Sequence, residues 1–136
     1  MFRYYDTRLP PWRYMVSEDH KLVWRFTPEY TQETPIVCCG GYVEVHGSVL
    51  TIAKGYRWDG ATGALDTPRF MRPSCLHDIW CQMMETGVIE KSFRMWKLGA
   101  KELRELCREE GMHPIRRTWV YAAVLAFGGL KYARDE

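Results

Sequence analysis

Short stretches in the first part of the chain alternate hydrophobic with polar residues, which is the period of a β-strand with one buried face. Leu22 to Phe26 is rich in residues that favour strands. Tyr42 to Val45 and Val49 to Ile52 lie on either side of Gly47. Because glycine readily takes a positive φ angle, this arrangement predicts a hairpin that turns at Gly47. We therefore expect a small antiparallel sheet before residue 56.

The second part of the chain has the period of an α-helix. Along one predicted helix, ended by Gly111, apolar residues recur at steps of four and three: Ile89, Phe93, Trp96, Ala100, Leu103 and Cys107. A shorter helix is predicted from Cys75 to about Glu85. Ser74 is its expected N-cap, because Pro68 and Pro73 should keep the preceding chain out of a helix.

A third helix is predicted to begin after Pro114 and to end at Gly128-Gly129. Four residues share its apolar face, which we expect to belong to the core: Trp119, Ala122, Ala123 and Ala126. Its apolar run ends at Leu130 and falls short of the roughly 20 residues that cross a bilayer. We therefore expect no transmembrane helix.

The order of these elements predicts the fold class and the domain organisation. Residues 1–56 are mainly β, residues 57–73 form a Gly- and Pro-rich loop, and residues 74–130 are helical. Strands followed by helices are typical of an α+β fold. A chain of 136 residues has the size of a single domain, so we expect one α+β domain over residues 1–136.

Charge and cysteine content indicate which partners and which redox compartment to expect. The 19 basic and 17 acidic residues give a net charge of +2, so we expect no general binding of nucleic acid. The first residues mix charges, prolines and aromatics and do not resemble a secretory signal. Five cysteines without paired spacing predict free thiols in a reducing cytoplasm. The oligomeric state stays open.

Ionisable residues collect where the predicted sheet meets the helices. Asp59, Asp66, His77 and Asp78 fall within twenty residues of one another, with Arg69 and Arg72 among them. Neutral imidazole is the usual general base near neutral pH, and carboxylates are the ligands that hard cations prefer. The glycines of this loop also permit backbone amides to approach a ligand closely. The cluster therefore predicts a candidate site for hydrolysis or anion binding.

Two other interpretations of the same residues stay open. Asp78 would complement the helix dipole in a first turn, and His77 could simply form a hydrogen bond in the core. His77 and Cys81 also stand four residues apart, as paired zinc ligands often do. A zinc site would need Asp59 or Glu90 as a third ligand.

Part of the chain resembles a family of small proteins from tailed bacteriophages and prophages that carries a domain of unknown function. The matching residues are Ile52-Ala53-Lys54-Gly55-Tyr56-Arg57-Trp58-Asp59-Gly60-Ala61-Thr62, Pro68 and Leu76-His77-Asp78. Downstream, the family has an Asp-x-x-Phe helix, an Arg and a Gly, where this chain has Glu90 to Phe93, Arg117 and Gly128. Glu90 departs from the usual Asp. The resemblance covers about Tyr42 to Leu130 and implies no established activity.

The stretch Cys75-Leu76-His77-Asp78 is also similar to the active-site helix of phospholipase A2 enzymes. In those enzymes the His activates water, the next Asp binds calcium, a Gly-rich loop supplies further oxygens, and a later Asp orients the His. The similarity implies these roles for His77, Asp78, the loop from Tyr56 to Gly63, and Glu90. Trp80 stands one position earlier than the aromatic residue of that helix, and the loop lacks a Cys-Gly-x-Gly-Gly pattern.

Three functions follow as hypotheses. The first is a metal-assisted hydrolase of an anionic ester, phosphoester or phospholipid-like substrate, with Ca²⁺ or another divalent cation. In this hydrolase His77, Asp78 and Glu90 would be catalytic, and Asp59 and Asp78 would bind the metal. The residues that would bind the substrate are Arg69, Arg72, Gly60, Ala61 and Thr62. The second is a non-enzymatic phage protein that sequesters a small host molecule or blocks a host protein. The third is a virion or tail-assembly component. The expected location is the host cytoplasm or, for the third, the virion.

Overall fold

Strands precede helices in the computed structural model, which describes residues 2–8, 12–25, 32–60 and 67–132. The α+β fold class is therefore confirmed. The chain divides into two compact units, Met1–Ala61 and Thr62–Glu136, which we call the β unit and the helical unit. The division falls inside the predicted Gly- and Pro-rich loop. The single domain over residues 1–136 stays a prediction.

The β unit contains two antiparallel sheets among the described residues, where the sequence predicted one. The first has the strand order β1-β2-β7 and the second β3-β6-β5-β4. The strands are β1 (Tyr4–Asp6), β2 (Tyr14–Val16), β3 (His20–Val23), β4 (Gln32–Cys38), β5 (Val43–Gly47), β6 (Val49–Ile52) and β7 (Arg57–Trp58). The predicted hairpin is confirmed, because β5 pairs with β6 and Gly47 has a φ of 61°. Phe26, at the end of the other predicted strand, lies outside the described residues.

Aromatic packing fixes the end of the first sheet. Trp58 is fully buried, with ring centroids 5.6 Å from Tyr14 and 5.8 Å from Phe2. Asp59 follows directly and is exposed, and Gly60 has a φ of 77°. The first two residues of the predicted loop site, Asp59 and Gly60, therefore follow directly after a buried strand end.

The helical unit begins with α1 (Pro68–Glu85), which starts earlier than predicted. Pro68 occupies the first helical position, where its missing N–H costs no hydrogen bond, while Pro73 lies inside the helix. Ser74 is consequently not an N-cap, and its hydroxyl donates to the Met71 carbonyl at 3.0 Å. The interpretation that Asp78 complements the helix dipole in a first turn is wrong, because both His77 and Asp78 sit in the middle of α1.

Helix α2 (Phe93–Glu109) confirms the predicted apolar face. Trp96, Ala100, Leu103 and Cys107 are all buried. The helix begins after Ile89, because the Ser92 hydroxyl caps it by accepting a hydrogen bond from the Met95 N–H at 3.2 Å.

Helix α3 (Pro114–Tyr132) begins as predicted but continues through Gly128 and Gly129. Its predicted core face is exposed: Ala122, Ala123 and Ala126 lie on the surface, and the Trp119 side chain is 73% exposed. The buried positions of α3 include Val120, Gly128 and Tyr132, which lie on the opposite side. No helix among the described residues is long and apolar enough to cross a membrane.

A tryptophan fixes the distance between α1 and α2. The Trp80 indole N–H donates to the Met95 carbonyl at 2.9 Å, and its ring lies on Gly99. A Cβ atom at Gly99 would stand 2.6 Å from the ring. The missing side chain therefore lets the indole reach the carbonyl one helical turn before the glycine.

A second tryptophan joins α2 to α3 by the same geometry. The Trp96 indole N–H donates to the Val124 carbonyl at 2.8 Å, and its ring lies on Gly128, again four residues after the acceptor. A Cβ atom at Gly128 would come within 1.8 Å of the ring. The glycine that was predicted to end α3 is in fact a packing position inside it.

Candidate functional site

His77 lies against α2 with one ring nitrogen closed off. Its ring meets Trp96 edge to face, with centroids 5.0 Å apart and planes at 80°. Its Nδ1 atom lies 3.9 Å from the Cys81 Sγ atom, one helical turn further along α1. The Nε2 atom has no exposed surface and no hydrogen-bond partner among the described residues. A buried polar atom without a partner is rare in folded proteins and calls for an explanation.

Burial determines the protonation state of this ring. Removal from water disfavours the imidazolium form and lowers the pKa of His77 from 6.5 to about 4. The ring is therefore neutral at neutral pH, with one N–H group and one nitrogen lone pair. If the N–H is at Nδ1, facing the Cys81 sulfur, the lone pair is at Nε2.

Helix α3 fixes the position of the Trp96 indole, which packs against His77. The Trp96 indole N–H donates to the Val124 carbonyl, and the ring packs at a tilt against Tyr132, with 5.2 Å between centroids. Phe127 approaches the same indole at 6.0 Å. Because the indole is fixed on several sides, the position of Nε2 depends on packing between α2 and α3 as well as on α1.

Asp78 projects about 100° away from His77 around the helix, as its sequence position requires. It is half-buried, and the Gln82 side-chain amide donates to its Oδ2 atom at 3.3 Å. The pKa of the Cys75 thiol is raised well above its usual value, first by burial and second by the charge of Asp78. The carboxylate and the imidazole thus occupy different surroundings on one helix.

Sequence analysis did not assign the contact between Gln82 and Asp78, and it considered Cys81 as a zinc ligand in one of its open interpretations. Each stands four residues after its partner, a spacing that places side chains together on a helix. That signal was present in the sequence. Among the described residues, no group of three His, Cys, Asp or Glu side chains is arranged to hold a metal ion.

The two arginines predicted to bind substrate join α1 to the end of α2. An Arg69 guanidinium N–H donates to the Gly111 carbonyl at 2.5 Å. The Arg72 guanidinium lies 3.0 Å from a Glu109 carboxylate oxygen and 3.8 Å from Glu110. A role for these arginines in binding an anion stays a prediction, and it would require them to exchange or share these contacts.

The other predicted site residues fall into three groups. Glu90 is exposed in front of α2, and no hydrogen bond joins it to His77. Asp59 and Gly60 belong to the β unit. Ala61, Thr62 and Asp66 lie outside the described residues. The roles assigned to these residues stay predictions.

No family model, curated protein or solved structure matches this chain. The resemblance to a bacteriophage family therefore also stays a prediction.

Proposed function

We propose that this protein is a hydrolase of an anionic ester or phosphoester and that His77 is its general base. The observation that supports the proposal is the buried Nε2 atom of a neutral imidazole, which has no partner among the described residues. A buried ring whose only role is packing would normally have both nitrogens satisfied. An unpartnered lone pair is suited to accept a proton from water or from a substrate hydroxyl.

In this mechanism Nε2 takes a proton from water as the water oxygen attacks the ester carbon or phosphorus atom. The same proton then passes from the imidazolium to the oxygen of the leaving group, so the enzyme returns to its starting state. Because Nε2 has no exposed surface, water and substrate reach it only when the side chains over it move. The Cys81 Sγ atom, 3.9 Å from Nδ1, is the contact that would orient the ring during both transfers.

Asp78 follows His77 directly in the sequence and supplies a carboxylate. The similarity to phospholipase A2 implies that this carboxylate binds a divalent cation such as Ca²⁺. The described residues alone do not complete a metal shell. Substrate oxygens and water would therefore supply the other ligands, and the cation would stabilise negative charge on the reacting oxygen. The general-base role of His77 does not depend on this cation.

The test uses purified protein with p-nitrophenyl acetate, p-nitrophenyl phosphate and bis-p-nitrophenyl phosphate, each with and without Ca²⁺, Mg²⁺ or Zn²⁺. We expect His77→Gln to lower kcat/KM by about 100-fold, the lower end of the roughly 10² to 10⁴ that a general base contributes, because the lowered pKa makes this ring a weak base. His46→Ala is the matched control, because His46 is exposed in the β unit. Wild-type protein without activity, or His77→Gln with full activity, would contradict the proposal.

The pH dependence gives a second readout. Because the pKa of His77 is lowered to about 4, the base is already deprotonated above about pH 5. We expect kcat/KM to be level from about pH 5 to 8 and to fall as the pH approaches 4. A fall centred near pH 6.5 would show that the base is not this buried ring.

A binding protein is the second candidate, and the same lowered pKa favours it. A ring that resists protonation is a weak base, but it can still form a hydrogen bond to a buried ligand group without turnover. Calorimetry with the product p-nitrophenolate, inorganic phosphate and acetate separates the two functions. Binding that His77→Gln abolishes, in protein that hydrolyses none of the three esters, would support this candidate.

A further inference from the structure

Helix α3 exposes an apolar face that the sequence predicted to belong to the core. Ile115 and Trp119 are 69% and 73% exposed. The small residues of the same face also lie on the surface: Ala122, Ala123 and Ala126. A continuous exposed apolar patch of several hundred Å² is typical of an interaction site.

Four of these residues run along the middle of the face, and we call them the α3 seam. They are Ile115, Trp119, Ala122 and Ala126. Their steps of four, three and four residues place them within a sector of about 60°. This is the spacing with which one helix meets another in a coiled coil. The sequence has no charged residue from Thr118 to Gly129, so a second helix would meet no charge over most of the seam.

The order of large and small side chains makes the seam complementary to itself. The large residues Ile115 and Trp119 come first, and the two alanines follow. In an antiparallel pair with its two-fold axis beside residues 120 and 121, Trp119 of one copy would lie on Ala122 of the other. Ile115 would lie on Ala126 in the same way. The alanines would thus admit the large side chains and let the two helices approach closely.

We propose that this protein forms a two-fold dimer through the α3 seam. Trp119 leaves about 180 Å² of its surface exposed. With Ile115 and the exposed alanines the face offers roughly 500 Å² per copy, so a pair would bury about 1,000 Å², the lower limit for a specific interface. A lipid surface fits less well, because the alanines in the middle of the face offer little apolar area for insertion.

An interface of this size predicts a weak dimer, with a dissociation constant of roughly 1–100 μM. Sedimentation velocity over about 1 to 500 μM protein measures this constant. We expect Ala122→Glu to raise it by at least about 100-fold, since pairing would bury two carboxylates without partners. Because Ala122 is exposed in the single copy, the circular dichroism spectrum of the variant should match that of the wild type.

Exchanging the two central residues tests the antiparallel register. Trp119→Ala removes the large side chain, and Ala122→Trp places two indoles against each other. Each variant alone should raise the dissociation constant by at least about tenfold. The double variant Trp119→Ala/Ala122→Trp again pairs a large residue with a small one, and it should return to within about fivefold of the wild type. A double variant as weak as the single variants would overturn this register.

The matched control is Val37→Glu, because Val37 is 62% exposed in the β unit and its replacement should leave the dissociation constant unchanged. His77→Gln should associate like the wild type, which separates this proposal from the hydrolase proposal. A wild-type monomer at 500 μM would overturn the inference, as would a dimer that Val37→Glu disrupts and Ala122→Glu leaves intact. Vesicles of phosphatidylserine and phosphatidylcholine would overturn it if the wild type bound them while it stayed monomeric in solution.

Discussion

Replacing Gly128 with alanine should destabilise the protein far more than the same change at its neighbour Gly129. At Gly128 the new Cβ atom would lie 1.8 Å from Trp96 Cδ1 and Nε1, inside any possible contact distance. At Gly129 the nearest atom would be Phe93 Cε2 at 3.9 Å, an ordinary van der Waals contact. Both glycines lie in α3, so the two variants share their change in helix propensity.

The expected loss in the free energy of unfolding follows from the contacts that Trp96 would lose. Forcing a methyl group into a packed position costs about 1–3 kcal/mol. Displacing the indole also breaks its hydrogen bond to Val124, and a buried group left without a partner costs about 1–3 kcal/mol. Alanine recovers about 0.5–1 kcal/mol of helix propensity. We expect Gly128→Ala to lower the free energy of unfolding by about 2–4 kcal/mol and Gly129→Ala to leave it level or raise it by up to about 1 kcal/mol.

Urea unfolding followed by circular dichroism measures both variants, and an unchanged m-value shows that the unfolding transition is comparable. The cost of Gly128→Ala should fall when Trp96 is replaced by leucine, since the clash partner is then smaller. Equal stability of Gly128→Ala and Gly129→Ala would refute the packing of Trp96 on α3. It would also remove the explanation for how the Trp96 ring is held against His77.

Three further predictions concern protonation, capping and redox state. Because the pKa of His77 is lowered to about 4 in the folded protein, the unfolded chain takes up a proton between pH 6.5 and 4 that the folded protein does not, and the wild type should lose about 3 kcal/mol of stability over that range. Urea unfolding should show the wild type losing this stability relative to His77→Gln, which cannot take up the proton, and a difference that stays constant with pH would contradict the prediction. Ser92→Ala should cost about 1 kcal/mol in thermal or urea unfolding by removing the cap of α2, while Ser48→Ala, in a turn, should cost less than half of that. All five cysteines are free in the structure, so reducing agent should leave the melting temperature unchanged, and a shift would reveal a disulfide.

The helices show which features a sequence pattern can predict. The apolar face of α2 was correct because its period is regular and its buried side is wide. The start of α1 was wrong because proline was treated as a helix breaker, although Pro68 is at the first position, where proline fits well. The face of α3 was wrong because an apolar stripe does not reveal whether a neighbour covers it, and Trp119 is exposed.

The candidate site was predictable in part for similar reasons. His77 and Asp78 stood out as adjacent ionisable residues, and Cys81 and Gln82 follow each of them by one helical turn. The cover over His77 was not predictable, because Trp96 reaches it only through packing between separate helices. The lowered pKa is likewise a consequence of that burial and has no local sequence signal.

The central claim is that half-buried His77 carries a neutral imidazole whose shielded Nε2 atom has no partner among the described residues, and NMR titration of its ring tests this most directly. Protein labelled with ¹⁵N and ¹³C in histidine would be titrated from pH 8 to 4, and His46→Ala would help assign the exposed residue. We predict that His77 shows the ¹⁵N shifts of a neutral ring down to about pH 5, with a midpoint of about 4. A midpoint for His77 at 6.5 or above would contradict the account, since the ring would then be open to water or paired with a carboxylate.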